Sequence, residues 1–269
     1  MSELDALFRK RIGFSESEQI SFDTLNHVLE KTARTIPFEN LRIIQNRTTA
    51  ITRENLIEKI LARGEGGLCY ELNPLLYLFL VEHGFDAVLA LGVVYKHDEQ
   101  RFQSIGSTHV TILCTYEGQM YVIDTGFGGN LPLMPVPLSG ETVSSANGEF
   151  RIRKVDTEHG DYALEMKLRH KDTDWRVGYA FNSTRTITDV EACDAVRTII
   201  EQHPESPFNK HPLITKLTDR GSVTLTNRSI TQWTDGQVTK ENIESARFNE
   251  LVEQHFGNSF VRIDDTLSR

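Results

Sequence analysis

Cys69 ends a glycine-rich run, Arg63-Gly64-Glu65-Gly66-Gly67-Leu68-Cys69-Tyr70-Glu71-Leu72-Asn73. Glycines ahead of a cysteine let the backbone bend tightly and let another molecule approach the sulfur. An apolar, helix-compatible stretch follows from Pro74 to Val81 and closes at His83-Gly84. A cysteine at a helix start meets the positive end of the helix dipole, which favours thiolate over thiol. Two starts fit the pattern. The helix begins at Cys69, or it begins one turn later with Asn73 as N-cap and Pro74 as first helical residue, which weakens the dipole effect. A free cysteine is also commonly a small buried hydrophobe, so this stretch alone fits a nucleophile and a packing residue equally well.

His109 begins one β-rich run, His109 to Tyr116, and Asp124 ends the next, Gln119 to Asp124. Glu117-Gly118 between them is a hairpin turn signal. Pairing centred on that turn sets His109 and Asp124 nearly opposite each other at one open end of the sheet, within reach of a hydrogen bond. A carboxylate there fixes the imidazole tautomer and stabilises its charged form. A charged imidazole beside Cys69 would in turn hold the sulfur as thiolate, giving a nucleophile, a base and an orienter. Asp124-Thr125-Gly126-Phe127-Gly128-Gly129 offers backbone N–H groups that an anion can use, although a plain glycine turn explains it as well. Glu39 and Asn40 read most simply as braces for neighbouring backbone. The other histidines lack a comparable setting. Cys114 falls mid-strand and Cys193 mid-helix, as packing residues. No Cys/His spacing suits zinc, so no metal is expected.

The elements that must position these groups change character along the chain. Up to about residue 84 the apolar period is helical: Leu25, Val28, Leu29, Thr32 and Ile36 follow a Ser21 N-cap, and Pro37 stops the run. Pro37 to Leu41 reads as a loop, and Thr52 opens a second helix carrying Leu56, Ile57, Ile60 and Leu61. From Phe85 to about residue 186 the period is two. Strands are expected over 85–95, 109–116, 119–124, 150–155, 162–168 and 175–181, without helices between them, which points to an antiparallel sheet or barrel. Residues 96–108 and 131–149 read as connections. From 187 onward the texture is mixed: a Thr188-capped helix to Gln202, a turn at Ser206-Pro207-Phe208-Asn209, strands within 222–233, and a last helix from Thr239 to Phe256 closed by Gly257. The expected divisions are 1–84, 85–186 and 187–269.

Composition is ordinary for a globular chain of 269 residues, with 39% hydrophobic and 25% charged residues. The net charge of −9 argues against a nucleic-acid surface. Three scattered cysteines do not make a disulfide framework and point to a reducing compartment. The polar start Met1-Ser2-Glu3-Leu4-Asp5 does not resemble a secretion signal, and no apolar run reaches membrane-spanning length, so a cytoplasmic location without membrane association is expected.

With these pieces placed, the chain resembles the arylamine N-acetyltransferase family nearly end to end. Pro37-Phe38-Glu39-Asn40-Leu41 is similar to the family's N-terminal motif, and Gly66 to Asn73 to the stretch bearing its nucleophile. Thr108-His109 and Asp124 to Gly128 resemble the segments bearing its histidine and aspartate. Ser206 to Asn209 and Thr224-Leu225-Thr226 resemble its C-terminal part. The resemblance implies an α+β fold: an N-terminal helical bundle, a central antiparallel β-barrel and a C-terminal α/β lid around a cysteine-protease-like core. It implies a ping-pong transfer from acetyl-CoA, through an acetyl-Cys69 thioester, to arylamines, arylhydrazines or aryl hydroxylamines, the chemistry of xenobiotic metabolism. It implies that Phe38, Tyr95 and Phe127 line the acceptor pocket and that Thr108, Gly126 and Gly128 border the coenzyme.

The chain departs from the family where Glu65 replaces a usual arginine four residues before the nucleophile. Glu65 is expected to face solvent or pair with a basic group, since an inward acid disfavours thiolate. Tyr95 and Thr125 stand where the family more often has aliphatic residues. Arg220, Lys240 and Lys210 are candidates for the coenzyme's phosphates. Papain-like proteases and transglutaminases share the order Cys, His, Asp, but the papain-type pattern around the cysteine is absent. A binding protein that keeps the fold without the activity is the non-enzymatic alternative, motivated by Glu65. The physiological acceptor and the oligomeric state are not written in the sequence.

Overall fold

The computed structural model describes residues 1–263. Its first third is helical, as the apolar period requires. Helix α1 (Glu3–Ile12) is capped by Ser2, whose Oγ accepts the Asp5 N–H. After a 3-10 turn at Phe22–Thr24, α2 (Leu25–Thr35) buries Leu25, Val28, Leu29 and Thr32 and stops before Pro37. Thr52 caps α4 (Arg53–Leu56), and the chain continues as a π-helical turn over Ile57–Ala62. Helix α5 (Cys69–Glu82) begins at the cysteine itself, so the earlier of the two possible starts is the one adopted. Pro74 lies inside α5, and Asn73 is a buried interior residue instead of a cap. The helix ends at His83, with Gly84 at φ +80°.

Pro37 to Leu41 is more ordered than a loop. Phe38–Glu39 forms β1, and Leu41–Ile44 forms the short helix α3.

The middle of the chain is an antiparallel sheet of strands β2 (Asp86–Lys96), β4 (His109–Tyr116), β5 (Gln119–Ile123), β6 (Val136–Pro137), β7 (Val143–Ser145), β8 (Gly148–Thr157), β9 (Gly160–Leu168) and β10 (Arg176–Ile187). The order is β6-β5-β4-β2-β10-β9-β8-β7, with the two-residue β3 (Arg101–Phe102) paired to β2. The two ends approach through β6 and β8, making a nearly closed barrel. The β4–β5 hairpin has the register its turn predicts, Ile112 opposite Ile123 and Leu113 opposite Val122. Glu117 and Gly118, both at positive φ, make the turn. Helix α5 packs on β4 and β2. It buries Leu72, Leu75, Leu76, Phe79 and Leu80, each contributing about 1.5–3 kcal/mol of apolar transfer. That burial seats the cysteine end of α5 against the open end of the barrel.

A second sheet, in the order β1-β11-β12-β13-β14, uses β11 (Leu213–Thr218), β12 (Gly221–Thr226), β13 (Ser229–Thr234) and β14 (Gln237–Asn242). It recruits Phe38–Glu39 from the helical third, pairing Phe38 with Thr215. Two expectations fail here. Thr239 lies in β14, not at a helix start, because Asp235-Gly236 turns the chain back as a hairpin; α7 (Phe248–Phe256) begins later and packs Phe248, Leu251 and Val252 into the core beside β12. Asp189, not Thr188, makes the cap before α6 (Asp194–Gln202), by accepting the Glu191 N–H at a 3-10 turn over Val190–Cys193.

Candidate active site

Cys69 at the start of α5, His109 at the start of β4 and Asp124 just after β5 converge where helix and barrel meet. All three are buried: Cys69 is 5% exposed and the other two 2%. His109 Nε2 lies 2.6 Å from Asp124 Oδ2, and Cys69 is close enough to the imidazole to be among the groups that raise its pKa. The Cys69 thiol also points at the Thr108 carbonyl, 3.4 Å away.

Asp124 is held from four directions. Its Oδ2 accepts from Tyr179 Oη at 2.9 Å as well as facing His109. Its Oδ1 accepts from Asn73 Nδ2 at 2.9 Å and from the Gly126 N–H at 2.7 Å. Burial alone would raise the Asp124 carboxyl, but the His109 charge and these donors lower it below its ordinary value. Burial alone would likewise lower the imidazole, yet the Asp124 charge and hydrogen bonds to Asp124 and Cys69 raise it to about 10. The imidazole therefore carries its proton at neutral pH.

That raised value has a consequence for stability. The folded protein keeps the His109 proton where the unfolded chain has released it. The stabilisation is complete below about pH 6.5 and fades as pH climbs towards about 10. Denaturant unfolding at intervals from pH 6 to 10 should show wild type losing stability across this window, and His109→Gln losing less. Equal slopes for the two proteins would remove His109 as the cause.

Two further residues brace the triad. Asn73 lies one turn after Cys69 on α5, donates also to the Val110 carbonyl at 2.6 Å, and accepts the Thr125 N–H at 2.8 Å. Besides closing the Gly66 to Asn73 motif, it is marked by its spacing from Cys69, because i and i+4 share a helix face. Tyr179 comes from β10 and sets its ring 4.3 Å from that of His109, tilted by 44°; nothing local in the sequence points to it.

The other expected site residues are distributed unevenly. The Phe127 ring lies 5.1 Å from that of His109. Gly126 sits against Cys69 with no room for a side chain, and Gly128, at φ +59°, lies beside the ring of Phe38. Phe38 meets Phe208 edge-on at 5.5 Å. The Tyr95 ring instead contacts Phe102 and His97. Side chains alternate along β2, and the neighbour Val94 is the one that pairs with Tyr179 and packs with Phe127 on one apolar cluster. Arg220 pairs with Asp235 at the rim of a separate cleft of about 170 Å³, lined also by Arg34, Lys171 and Trp233.

Glu65 is 3% exposed and receives two 2.7 Å hydrogen bonds from the Arg42 guanidinium, so of the two expected fates it takes the ion pair. Beside it, buried Lys59 bonds Glu71 at 2.6 Å and approaches Glu39 at 3.5 Å. Burial, eased by the Lys59 charge, holds the Glu39 carboxyl above its ordinary value. Among the described residues no cluster of three or more His, Cys, Asp or Glu could hold a metal, and no helix is long and apolar enough to cross a membrane.

The N-acetyltransferase family profile matches residues 21–263. An uncharacterized acetyltransferase of Bacillus subtilis, YvcN, is 39% identical over 248 residues, covering 92% of this chain and 95% of that one. Probable arylamine N-acetyltransferase 3 of Dictyostelium discoideum is 30% identical, covering 96% of this chain and 93% of its own. The solved arylamine N-acetyltransferase NAT3 of Bacillus cereus superposes with a TM-score of 0.90 at 41% identity, over 96% of this chain and 99% of that one. That enzyme is described as having a Cys-His-Glu catalytic triad; the third residue of the arrangement here is Asp124. Sequence and backbone thus agree along more than nine-tenths of each of these chains, and the protein belongs to the arylamine N-acetyltransferase family, a family of acyltransferases.

Proposed function

We propose that this protein transfers the acetyl group of acetyl-CoA to arylamines, arylhydrazines or aryl hydroxylamines by a ping-pong route through acetyl-Cys69. The observation that carries the reading is the convergence of Cys69, His109 and Asp124 in one buried place, with the imidazole on a carboxylate that has four donors or partners. In the first half-reaction the Cys69 thiolate attacks the thioester carbonyl carbon and a new C–S bond forms. The tetrahedral oxyanion collapses, the bond to the coenzyme sulfur breaks, and His109 supplies the proton that leaves with coenzyme A. In the second, the acceptor nitrogen attacks acetyl-Cys69, its proton passes to His109, and the thiolate departs. The N–H groups of Cys69 and Tyr70, in the first turn of α5, have no carbonyl one turn back and are the candidate donors to the oxyanion.

Phe38 and Phe127 would flank the acceptor ring, with Val94 on the inner face of β2 in the place expected of Tyr95. Thr108, Gly126 and Gly128, around the sulfur, would border the coenzyme. This soft nucleophile acting on a thioester calls for no metal, and the site is read as working in the cytoplasm on small molecules without nucleic acid or membrane.

Incubation with acetyl-CoA alone tests the reading. Intact mass should show one added acetyl group on wild type and none on Cys69→Ala, and a following arylamine should remove it. Absence of the adduct, with reaction of a peptide or glutaminyl substrate instead, would move the protein to the protease or transglutaminase class.

A further inference from the structure

The nucleophile loop rests on charges that the reaction scheme does not use. Three carboxylates, Glu39, Glu65 and Glu71, are buried together behind Cys69. Each is 9% exposed or less. Arg42 takes Glu65 in a two-pronged pair. Lys59, 4% exposed, takes Glu71 at 2.6 Å and faces Glu39 at 3.5 Å. Glu71 has a second duty: its Oε2 accepts the N–H of Leu68, the residue before the cysteine, at 3.0 Å. It is thus both the clamp on the start of α5 and a negative charge two residues from the sulfur. Lys59 reaches it from the π-helical turn Ile57–Ala62, whose extra residue per turn is a device often found at functional sites.

We propose that Lys59 is a positioning residue for acyl transfer, cancelling the Glu71 charge so that the carboxylate can cap the nucleophile helix without opposing negative charge on the Cys69 sulfur. The proposal rests on the acyl-transfer reading of Cys69. The other titratable and charged groups packed around this point are His109 and Asp124 from the barrel, Tyr179 from β10, and Tyr70 beside the cysteine. Beyond them lie Cys193 and Glu201 around α6, and Arg11 from α1, which donates to the Gly64 carbonyl. Of these, only His109 and Arg11 can bring positive charge. His109 is committed to Asp124 and Cys69, and Arg11 to loop carbonyls. Arg42 feels the Glu71 charge but gives both prongs of its guanidinium to Glu65, so none of the three replaces Lys59 at Glu71. Removing the ammonium takes the hydrogen-bonded partner from Glu71 and the 3.5 Å neighbour from Glu39, and uncompensated negative charge of this kind raises a neighbouring acid by about one pH unit or more.

The test is the rate of iodoacetamide alkylation of Cys69 from pH 5 to 9, followed by peptide mass, on the full chain. It needs no substrate turnover, so its outcome is separate from whether acetyl-CoA is the donor. Lys59→Met should move the alkylation midpoint up by about one unit and slow the reaction at pH 6 by about tenfold. Lys59→Met/Glu71→Gln should return to a near-wild-type profile, because glutamine can still accept the Leu68 N–H but carries no charge, and the remaining Glu39 carboxyl is already held above its ordinary value. A Lys59→Met profile that overlays wild type overturns the proposal, as does a folded double variant that stays slow. If Lys59→Met does not fold, the double variant decides. Folding with a wild-type profile supports the charge-balance role, and failure to fold assigns Lys59 to packing instead.

Discussion

Asp124→Asn should fold and lose acetyl transfer by about 10³- to 10⁴-fold, the scale on which losing the orienting carboxylate of a Ser-His-Asp triad acts. The hydrogen bonds around the residue explain both halves of that result. Oδ1 accepts from Asn73 Nδ2 and from the Gly126 N–H, so the asparagine must keep its oxygen there. Its amide nitrogen then replaces Oδ2 and faces His109 Nε2 and Tyr179 Oη. Tyr179 can turn and accept. The imidazole can accept only by giving up its Nε2 proton, and the proton then stays on the nitrogen that faces Cys69. An imidazole in that tautomer is not a base towards the sulfur. The hydrogen-bond count survives, so the fold survives while the chemistry fails. Asp124→Glu keeps the carboxylate and should retain more activity, limited by an extra methylene in a packed site at about 1–3 kcal/mol; the B. cereus relative works with glutamate in its triad. Steady-state turnover with circular dichroism as the fold check decides it. Near-normal turnover of Asp124→Asn would take Asp124 out of the mechanism.

Gly126→Ala is the other large effect, and it should damage both stability and rate. A Cβ at this position would lie 2.6 Å from Cys69 Cα and 2.8 Å from Asn73 Nδ2. Neither neighbour is the free end of a flexible chain: one is helix backbone and the other is bound to Asp124 and Val110. The backbone of the 124–128 turn must therefore back away from α5. That motion stretches the Gly126 N–H bond to Asp124 and separates the barrel's half of the triad from the helix's half. Overpacking of this kind costs about 1–3 kcal/mol, occasionally more. A misplacement near 1 Å costs about 10²-fold in rate. Thermal unfolding and acetyl-enzyme formation measured together check it. A variant with unchanged melting temperature and unchanged rate would mean the turn is looser than its packing indicates.

The two variants divide the site according to what each kind of information could reach. Cys69, His109 and Asp124 were legible in the linear chain because each sits beside local punctuation: a glycine run, a strand start, and a strand end with a two-residue turn between them. The hairpin register followed from the turn alone, since pairing across a tight turn leaves no freedom. The last helix was misread because Thr239 looked like a cap, while the Asp235-Gly236 turn that overrides it acts through a strand partner. Tyr95 was expected to face the pocket, but the choice between it and Val94 depends on strand alternation counted from Tyr179, a residue 84 positions away.

By itself, then, the amino-acid order pointed to most of the element types, to the three groups proposed to react and to the class of chemistry they would support. These rest on short-range physics: period, capping and turn geometry act over a few residues. Folding in three dimensions decided that Glu65 is buried on Arg42, that Lys59 answers Glu71, and that Asn73 and Tyr179 hold Asp124. Charge pairing and burial depend on which distant segments share a low-dielectric interior, and no local pattern records that.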